Sequence, residues 1–355
     1  MRRSRQLPRV SVLPTSSERS TAMTDQITED FLGPNDPYRG ELLAHCYRML
    51  GSVHDAEDLV QETYLRAWKA MDKFEGRSSM RTWLYRIATN VCLTALESRS
   101  KRPLPTGLGA PSSDPVGELV QSPEVPWLEP VPDAMVGTGD PADPASIVTS
   151  RESIRLAFVA ALQHLPPRQR AVLILRDVLK WRAAEVAELL NTTTVAVNST
   201  LQRARAQLDQ MAPSEDDVVE PTTPDQRELL EQYVAAFENY DIAAMVELFT
   251  KDAIWEMPPF TGWYQGAETI GRLISTNCPA QGPGDMLMVE TQANGQPAFG
   301  LYMRGEDGVH RAFQLQVLTM QGGRVAHVGS FFDTDLFAKF GLPEVYSAPP
   351  QPLPV

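Results

Sequence analysis

At 355 residues the chain is about twice a common domain length, so two or three compact units are expected rather than one core. No run of eighteen apolar residues occurs, and residues 1–22 carry arginines without a continuous apolar stretch. Neither a membrane-spanning helix nor a secretory leader is therefore expected, and the protein reads as soluble and cytoplasmic.

The net charge of −13 argues against a nucleic-acid binder unless the charges segregate, and they do. Residues 38–102 carry +3 and 151–211 carry +4, whereas the stretch between them carries −7 and residues 212–355 carry −13. Phosphate contact is thus confined to two mildly basic units. Cys46, Cys92 and Cys278 lie far apart, without zinc-site spacing, and read as small buried hydrophobes; no metal or cofactor is implied. Residues 1–37 read as a disordered tail in which Met23 is a more ordinary start than Met1.

In chain order, residues 55–71 are the first strongly periodic segment. At 100° per residue Ala56, Leu59, Val60, Thr63, Tyr64, Ala67, Ala70 and Met71 share one arc, the core face. The opposite side gathers Asp58, Gln61, Glu62 and Lys69 around Leu65. An apolar residue ringed by hydrogen-bonding groups suits a small docking site, although a lone exposed leucine needs no partner. The next helix, 79–97, packs Met80, Leu84, Ile87, Ala88, Val91 and Ala95 and turns Ser79, Trp83, Arg86 and Asn90 outward. Such groups can bind phosphate, read a base edge or stack an unpaired base, with packing the commoner fate of a tryptophan near a helix start.

The run His54-Asp55-Ala56-Glu57-Asp58-Leu59-Val60-Gln61-Glu62-Thr63, followed by Phe74-Glu75-Gly76-Arg77-Ser78 and Arg81-Thr82-Trp83-Leu84-Tyr85-Arg86-Ile87-Ala88-Thr89-Asn90, resembles sigma region 2 of the extracytoplasmic-function RNA polymerase sigma factors. The resemblance implies that Asp58, Gln61, Glu62 and Leu65 dock on the coiled coil of the polymerase β′ subunit. It also implies that Ser79, Met80, Arg81, Arg86 and Asn90 meet the −10 promoter element, from which a base is flipped at a cost of a few kcal/mol.

Residues 103–150 hold a proline cluster, seven carboxylates and no Lys or Arg, and read as a non-globular acidic linker. Two roles fit it equally: a solvated tether, or a mimic of nucleic-acid charge lying in the basic channel of the polymerase.

Helices are expected over 151–164, 168–179, 181–190 and 194–211, with Leu165-Pro166-Pro167 as a stop and 191–193 as a tight turn. Asn191 suits the left-handed backbone of such a turn and Thr193 an N-cap, so the last two helices form a helix-turn-helix. Thr194, Val197, Leu201, Ala204 and Leu208 are expected inside, and Val195, Ser199, Gln202 and Arg203 outside with Asn198 at the margin. Leu165-Pro166-Pro167-Arg168-Gln169-Arg170-Ala171-Val172, Ala184-Glu185-Val186-Ala187-Glu188-Leu189-Leu190 and Val197-Asn198-Ser199-Thr200-Leu201-Gln202-Arg203-Ala204-Arg205 resemble sigma region 4. That resemblance implies contact with the polymerase β flap and reading of the −35 element by Asn198, Ser199, Gln202 and Arg203, where the family glycine of the turn is replaced by Asn191.

After a polar break at 213–225, helices at 229–238, 241–250 and 267–278 and β-like runs at 253–257, 286–291, 299–303, 311–320 and 325–332 give an α+β layout over 226–345, followed by a tail. With Trp255, Met257-Pro258-Pro259 and Gly262-Trp263-Tyr264, this part resembles the SnoaL-like, NTF2-like cone. The fold class is therefore multidomain, two all-α sigma domains (a region 2 helical bundle at 38–102 and a region 4 helix-turn-helix at 151–212) plus the α+β cone.

A pocket lined by Trp255, Met257, Trp263, Tyr264, Phe299, Gln314 and Phe332 is expected to take a small apolar ligand. Glu256, His310 and Asp333 are the titratable groups beside its strands, without a spacing that demands catalysis. A sigma factor modulated by its C-terminal domain is the leading reading, with polymerase core and promoter DNA as partners and no catalytic residue. An isomerase- or cyclase-type enzyme with a DNA-binding appendage, or a ligand-sensing repressor, are the alternatives.

Overall fold

Ser52 starts the helix on which the N-terminal unit is organised. Its hydroxyl caps the helix by accepting from Asp55 N at 3.1 Å, satisfying a donor that the first turn leaves unpaired. The computed structural model describes residues 36–98, 101–136, 152–210 and 224–346. Expectations for the two chain ends, 137–150 and 211–223 lie outside the described residues.

Among the described residues three α-helices make this unit: α1 (Arg39–Leu50), α2 (Val53–Ala70) and α3 (Met80–Leu96). Gly51 closes α1 at φ 71°, where a side chain would also strike Leu128 Cδ1 at 2.7 Å. In α2 the expected arc is buried at Ala56, Val60, Thr63, Tyr64 and Ala67. Helix α1 is buried on every side from Leu42 to Leu50, His45, Tyr47 and Arg48 included. It is covered by the rest of the chain as well as by α2 and α3.

The second helical unit comprises α4 (Leu156–Gln163), α5 (Pro167–Leu173) continued by a π turn over Ile174–Val178, α6 (Ala183–Leu189) and α7 (Thr194–Asp209). The helix expected from 151 is interrupted: Glu152 is helical, Ser153 and Ile154 form a turn, and α4 begins at Leu156. The guanidinium of Arg48 holds Ser153 O at 3.2 Å and Ser153 Oγ at 2.8 Å, and Arg155 is extended at ψ 140°. Asn191 has φ 50°, as its turn requires, and Thr193 Oγ1 accepts from Ala196 N at 3.2 Å. Thr194, expected inside, is exposed, because the inner stripe of α7 starts one turn later at Val197, Leu201 and Ala204.

The C-terminal unit sets α8 (Pro224–Glu238), α9 (Ile242–Leu248) and α10 (Ala267–Asn277) against a seven-stranded sheet. Its strands are β1 (Phe249–Glu256), β2 (Trp263–Gln265), β3 (Met286–Ala293), β4 (Gln296–Arg304), β5 (His310–Gln321), β6 (Arg324–Phe331) and β7 (Val345–Tyr346). They run in the order β2-β1-β6-β5-β4-β3, with β7 on β5; β1 and β6 are parallel, and the other pairs antiparallel.

Alternation along the strands buries both faces. Trp255, Phe299, Leu301, Leu318 and Val328 join Tyr233 and Phe237 of α8 in one core. Leu287, Ala298, Tyr302, Leu315, Val317 and Phe331 belong to a second core, continuous with the sigma-like units and with α11 (Leu336–Lys339).

Residues 103–136 correct the expectation of a non-globular linker: they are an extended strap packed between the units. Leu128 and Val131 are fully buried and Trp127 nearly so. Along the C-terminal unit the strap follows the β2 edge. Ser113 N donates to Trp263 O at 2.7 Å, Thr261 N to Val120 O at 2.9 Å and Ser122 N to Pro259 O at 2.9 Å. Along α2 its Glu129 carboxylate accepts from Ser52 Oγ at 2.7 Å and pairs with His54 Nδ1 at 3.0 Å. Arg102 holds Asp55 and Trp127 O. Proline and acid content signalled a chain without its own core, which is correct locally; the core belongs to its neighbours.

Removing the Leu128 side chain should leave a cavity between strap, α1 and α4. Leu128→Ala is expected to lower the unfolding free energy by about 2–5 kcal/mol in a denaturant titration.

The His54–Glu129 pair makes the strap's hold dependent on pH. The Glu129 hydrogen bond raises the imidazole of His54 above 6.5, so its contribution is complete below 6.5 and is lost as pH climbs through the raised value. Burial pushes the Glu129 carboxyl up, but bonds from His54 and Ser52 outweigh it and leave it below 4.5; its contribution is complete above 4.5 and is lost on acidification. Asp333, raised by burial, acts in the opposite sense on the acid side. Urea midpoints should peak between pH 4.5 and 6.5, and His54→Gln should remove the alkaline fall while keeping the acid one.

Candidate nucleic-acid interface

Helix α2 presents Asp58 and Gln61 to solvent, with Glu62 partly covered and Leu65 55% exposed. Glu62 holds Arg66 at 2.7 Å across one turn, a surface pair that fixes geometry more than it stabilises. Trp68, also 55% exposed, extends the strip by one turn. It was missed in the sequence although its spacing of three from Leu65 places it on the same polar side. Glu57 faces the other way, against Arg39 and against Lys339 of α11.

On α3, Ser79 caps the helix, accepting from Thr82 N at 3.1 Å, and Met80 packs inward. Trp83 lies against Phe74 with centroids 4.9 Å apart, the packing role. Arg81 Nε reaches Glu41 at 2.6 Å and its guanidinium lies 5.1 Å from the Tyr85 ring centre. Arg86 Nη2 donates to Glu188 of α6 at 2.9 Å, and Tyr85 meets Trp181 edge-on at 6.0 Å. Both arginines proposed for promoter contact are thus engaged within the chain, while Asn90 is exposed. No local pattern marked Glu188 as the partner of Arg86, because the pair joins residues 102 positions apart.

Helix α7 turns Asn198, Ser199, Gln202 and Arg203 to solvent beside Val195, which is 76% exposed. Arg203 is only lightly held, by Ser199 O and Thr200 Oγ1 at 3.3 Å each. Arg205, by contrast, is tied to Asp177 through two bonds of 2.8 and 2.6 Å.

The two helical units meet through buried arginine. Arg170 of α5 donates to Met49 O at the end of α1, to Gln163 Oε1 at 2.7 Å and to Leu165 O at 3.2 Å. Burial lowers its guanidinium to about 10, and does the same to Arg48.

In the C-terminal unit, Trp255, Met257, Tyr264, Phe299 and Gln314 are buried, and Phe332 lies between Phe260 and Phe313 at 5.2 Å from each. Trp263 is drawn to the strap instead, its indole donating to Ala110 O at 2.8 Å. On the helix-facing side, Trp255 Nε1, Gln314 Oε1, Gln316 Nε2 and Ser330 Oγ are buried without a hydrogen-bond partner.

Of the titratable groups, Glu256 meets His327 at 2.7 Å and accepts Thr106 N of the strap at 2.7 Å, sealed at 2% exposure. His310 bonds Gly284 O at 2.9 Å, and Asp333 lies near the His54–Glu129 pair. Among the described residues no cluster of His, Cys, Asp or Glu could hold a metal, and no helix is long and apolar enough to cross a membrane.

Comparison with known proteins agrees with this division. Residues 36–102 match Sigma-70 region 2, 155–208 match Sigma-70, region 4, and 230–328 match the SnoaL-like domain. The ECF RNA polymerase sigma factor SigG of Mycobacterium tuberculosis (strain ATCC 25618 / H37Rv) is 63% identical over 341 residues, covering 96% of this chain and 90% of its own length. SigJ of the same strain is 29% identical over 326 residues, 88% of this chain and 94% of its own. The crystal structure of Mycobacterium tuberculosis SigJ superposes with a TM-score of 0.54 at 25% identity, over 85% of this chain and 96% of that one. With two sigma regions in order and such identity along nearly its whole length, the chain belongs to the extracytoplasmic-function RNA polymerase sigma factors, and it carries a SnoaL-like domain behind them.

Proposed function

We propose that this sigma factor rests in a closed form, in which its C-terminal domain and strap hold regions 2 and 4 together, and that it initiates transcription in the cytoplasm after polymerase core parts them. One observation carries the reading: Arg86, on the proposed −10 face, is 2.9 Å from Glu188 in the region 4 helix-turn-helix. Duplex sites one helical turn apart are already separated by about 34 Å. Units in direct contact therefore cannot read two promoter elements at once.

Asp58, Gln61, Glu62 and Leu65 form the proposed contact with the β′ coiled coil, and the exposure of Asp58, Gln61 and Leu65 leaves the strip accessible before the units separate. Region 4 then meets the β flap, and Asn198, Ser199, Gln202 and Arg203 read the −35 element, a bidentate base contact being worth about 1–3 kcal/mol. Ser79, Met80, Arg81, Arg86 and Asn90 take the −10 strand once Glu188 has left. The helix-facing side of the C-terminal domain is the place for a small ligand. Its four unpartnered polar atoms are groups that hydrogen-bonding atoms beside an apolar body would satisfy.

Reconstitution with core polymerase and a promoter library tests the assignment. Alanine at Asp58, Gln61 and Leu65 together should weaken core binding by about tenfold or more, roughly 1.4 kcal/mol; wild-type affinity in that triple variant would refute the docking strip. Glu188→Gln should raise binding of a single-stranded −10 oligonucleotide by free protein, and Arg86→Ala should abolish the gain. Equal binding by Glu188→Gln and wild type would remove the case for a closed form.

A further inference from the structure

Strands β3 and β4 are joined by the two-residue turn Asn294-Gly295, with Ala293 facing Gln296. Asn294 has φ 59°, a conformation that glycine would adopt as readily. Its side chain nevertheless lies fully buried outside its own domain. Oδ1 accepts from Val131 N of the strap at 2.9 Å, and Nδ2 donates to Tyr47 Oη of region 2 at 2.8 Å and to Ile154 O, just before region 4, at 2.6 Å.

The surroundings reinforce these bonds. Asn294 N donates to Val131 O at 3.0 Å, Gly295 N to Asp133 Oδ1 at 2.8 Å, and Tyr47 Oη to Glu129 O at 2.7 Å. Gln296 Oε1 accepts from Leu156 N, the first residue of α4, at 3.0 Å. Both amide hydrogens and the carbonyl of Asn294 are thus used on three segments that must move relative to one another.

We propose that this turn is the lock of the closed form, and that the Asn294 side chain withdraws from its socket when the factor takes up polymerase. The proposal rests on the closed-form reading above. A turn needed only for the hairpin would leave the three bonds without a role, whereas a lock uses all of them at the one place where strap, region 2 and region 4 converge.

Hydrogen exchange of the full-length protein separates the two. Asn294→Gly keeps the turn and deletes the amide; it should speed exchange at least tenfold in peptides covering 127–136 and 154–163, with 310–321 unchanged. Tyr47→Phe, which removes one of the three bonds, should give a smaller rise in the same peptides. Unchanged exchange in Asn294→Gly would overturn the proposal, as would equal deprotection of 310–321, since the residue would then serve only its own domain. Wild-type protein saturated with core polymerase should lose protection in 127–136 and 154–163; persistent protection there would also overturn it. Failure of the wild type to bind core at all would count against the sigma-factor mechanism and not against the lock.

Discussion

A buried polar group needs a partner, and the last turn of α1 finds its partners in every other part of the chain. Tyr47 bonds the strap and the C-terminal hairpin, Arg48 holds Ser153 ahead of region 4, and Met49 O receives Arg170 from within it. The closed arrangement depends on this turn because its polar atoms are satisfied only while all the units stay in place. The same chemistry lets them part. Each such bond is worth about 0.5–1.5 kcal/mol net, since water replaces the protein partner on opening. Two buried guanidinium groups recover hydration at the same time. An apolar hub of equal area would have had no such compensation.

Net charge does little to bind this assembly. The C-terminal part carries −13 against +3 and +4 on the helical units, an imbalance that would let an acidic domain hold a basic one. At the contact the polarity is reversed: Lys339 of the acidic domain holds Glu57 of region 2. Between exposed charges attraction is screened beyond about 8 Å at physiological salt, so the overall imbalance adds little to the hold between the units. The contact itself is made by hydrogen bonds and apolar packing. The strip proposed for polymerase stays open for the same reason, because Lys339 takes Glu57 and leaves Asp58 facing water.

What could be read in the sequence was whatever local periodicity or turn chemistry decides. The α2 arc, the left-handed Asn191, the Thr193 cap and five of the strands follow from neighbours within a few residues. The strap did not, since its order comes from Gly51, Glu256 and Trp263, far away in the chain. A signal was present even so: Trp127-Leu128 in a stretch otherwise rich in proline and acid has no reason to be apolar unless it is buried. Asn294-Gly295 is a hairpin-turn pair that the sequence reading passed over, and no pattern could say that its side chain leaves the domain. The arginines proposed for promoter contact were legible as candidates; their capture by Glu41 and Glu188 was not, because ion pairs between helices carry no sequence period.

The sheet of the C-terminal domain explains how region 4 can leave without unravelling the rest. Its second face is apolar, and part of that face is covered by its own chain: Phe337 and Tyr346 lie edge-on to Tyr302, at 5.2 and 4.7 Å. Leu342 closes over Gly300, where a side chain would meet its Cδ1 at 2.6 Å. Region 4 contributes at the other end, where Leu156 lies over Gly329 and Phe331. Uncovering one leucine costs about 1.5–3 kcal/mol, whereas exposing the whole face would cost several times that. In the proposed opening the strap, paired along the β2 edge, stays with the C-terminal domain, and separation begins at the junction of strap and α4, next to Asn294.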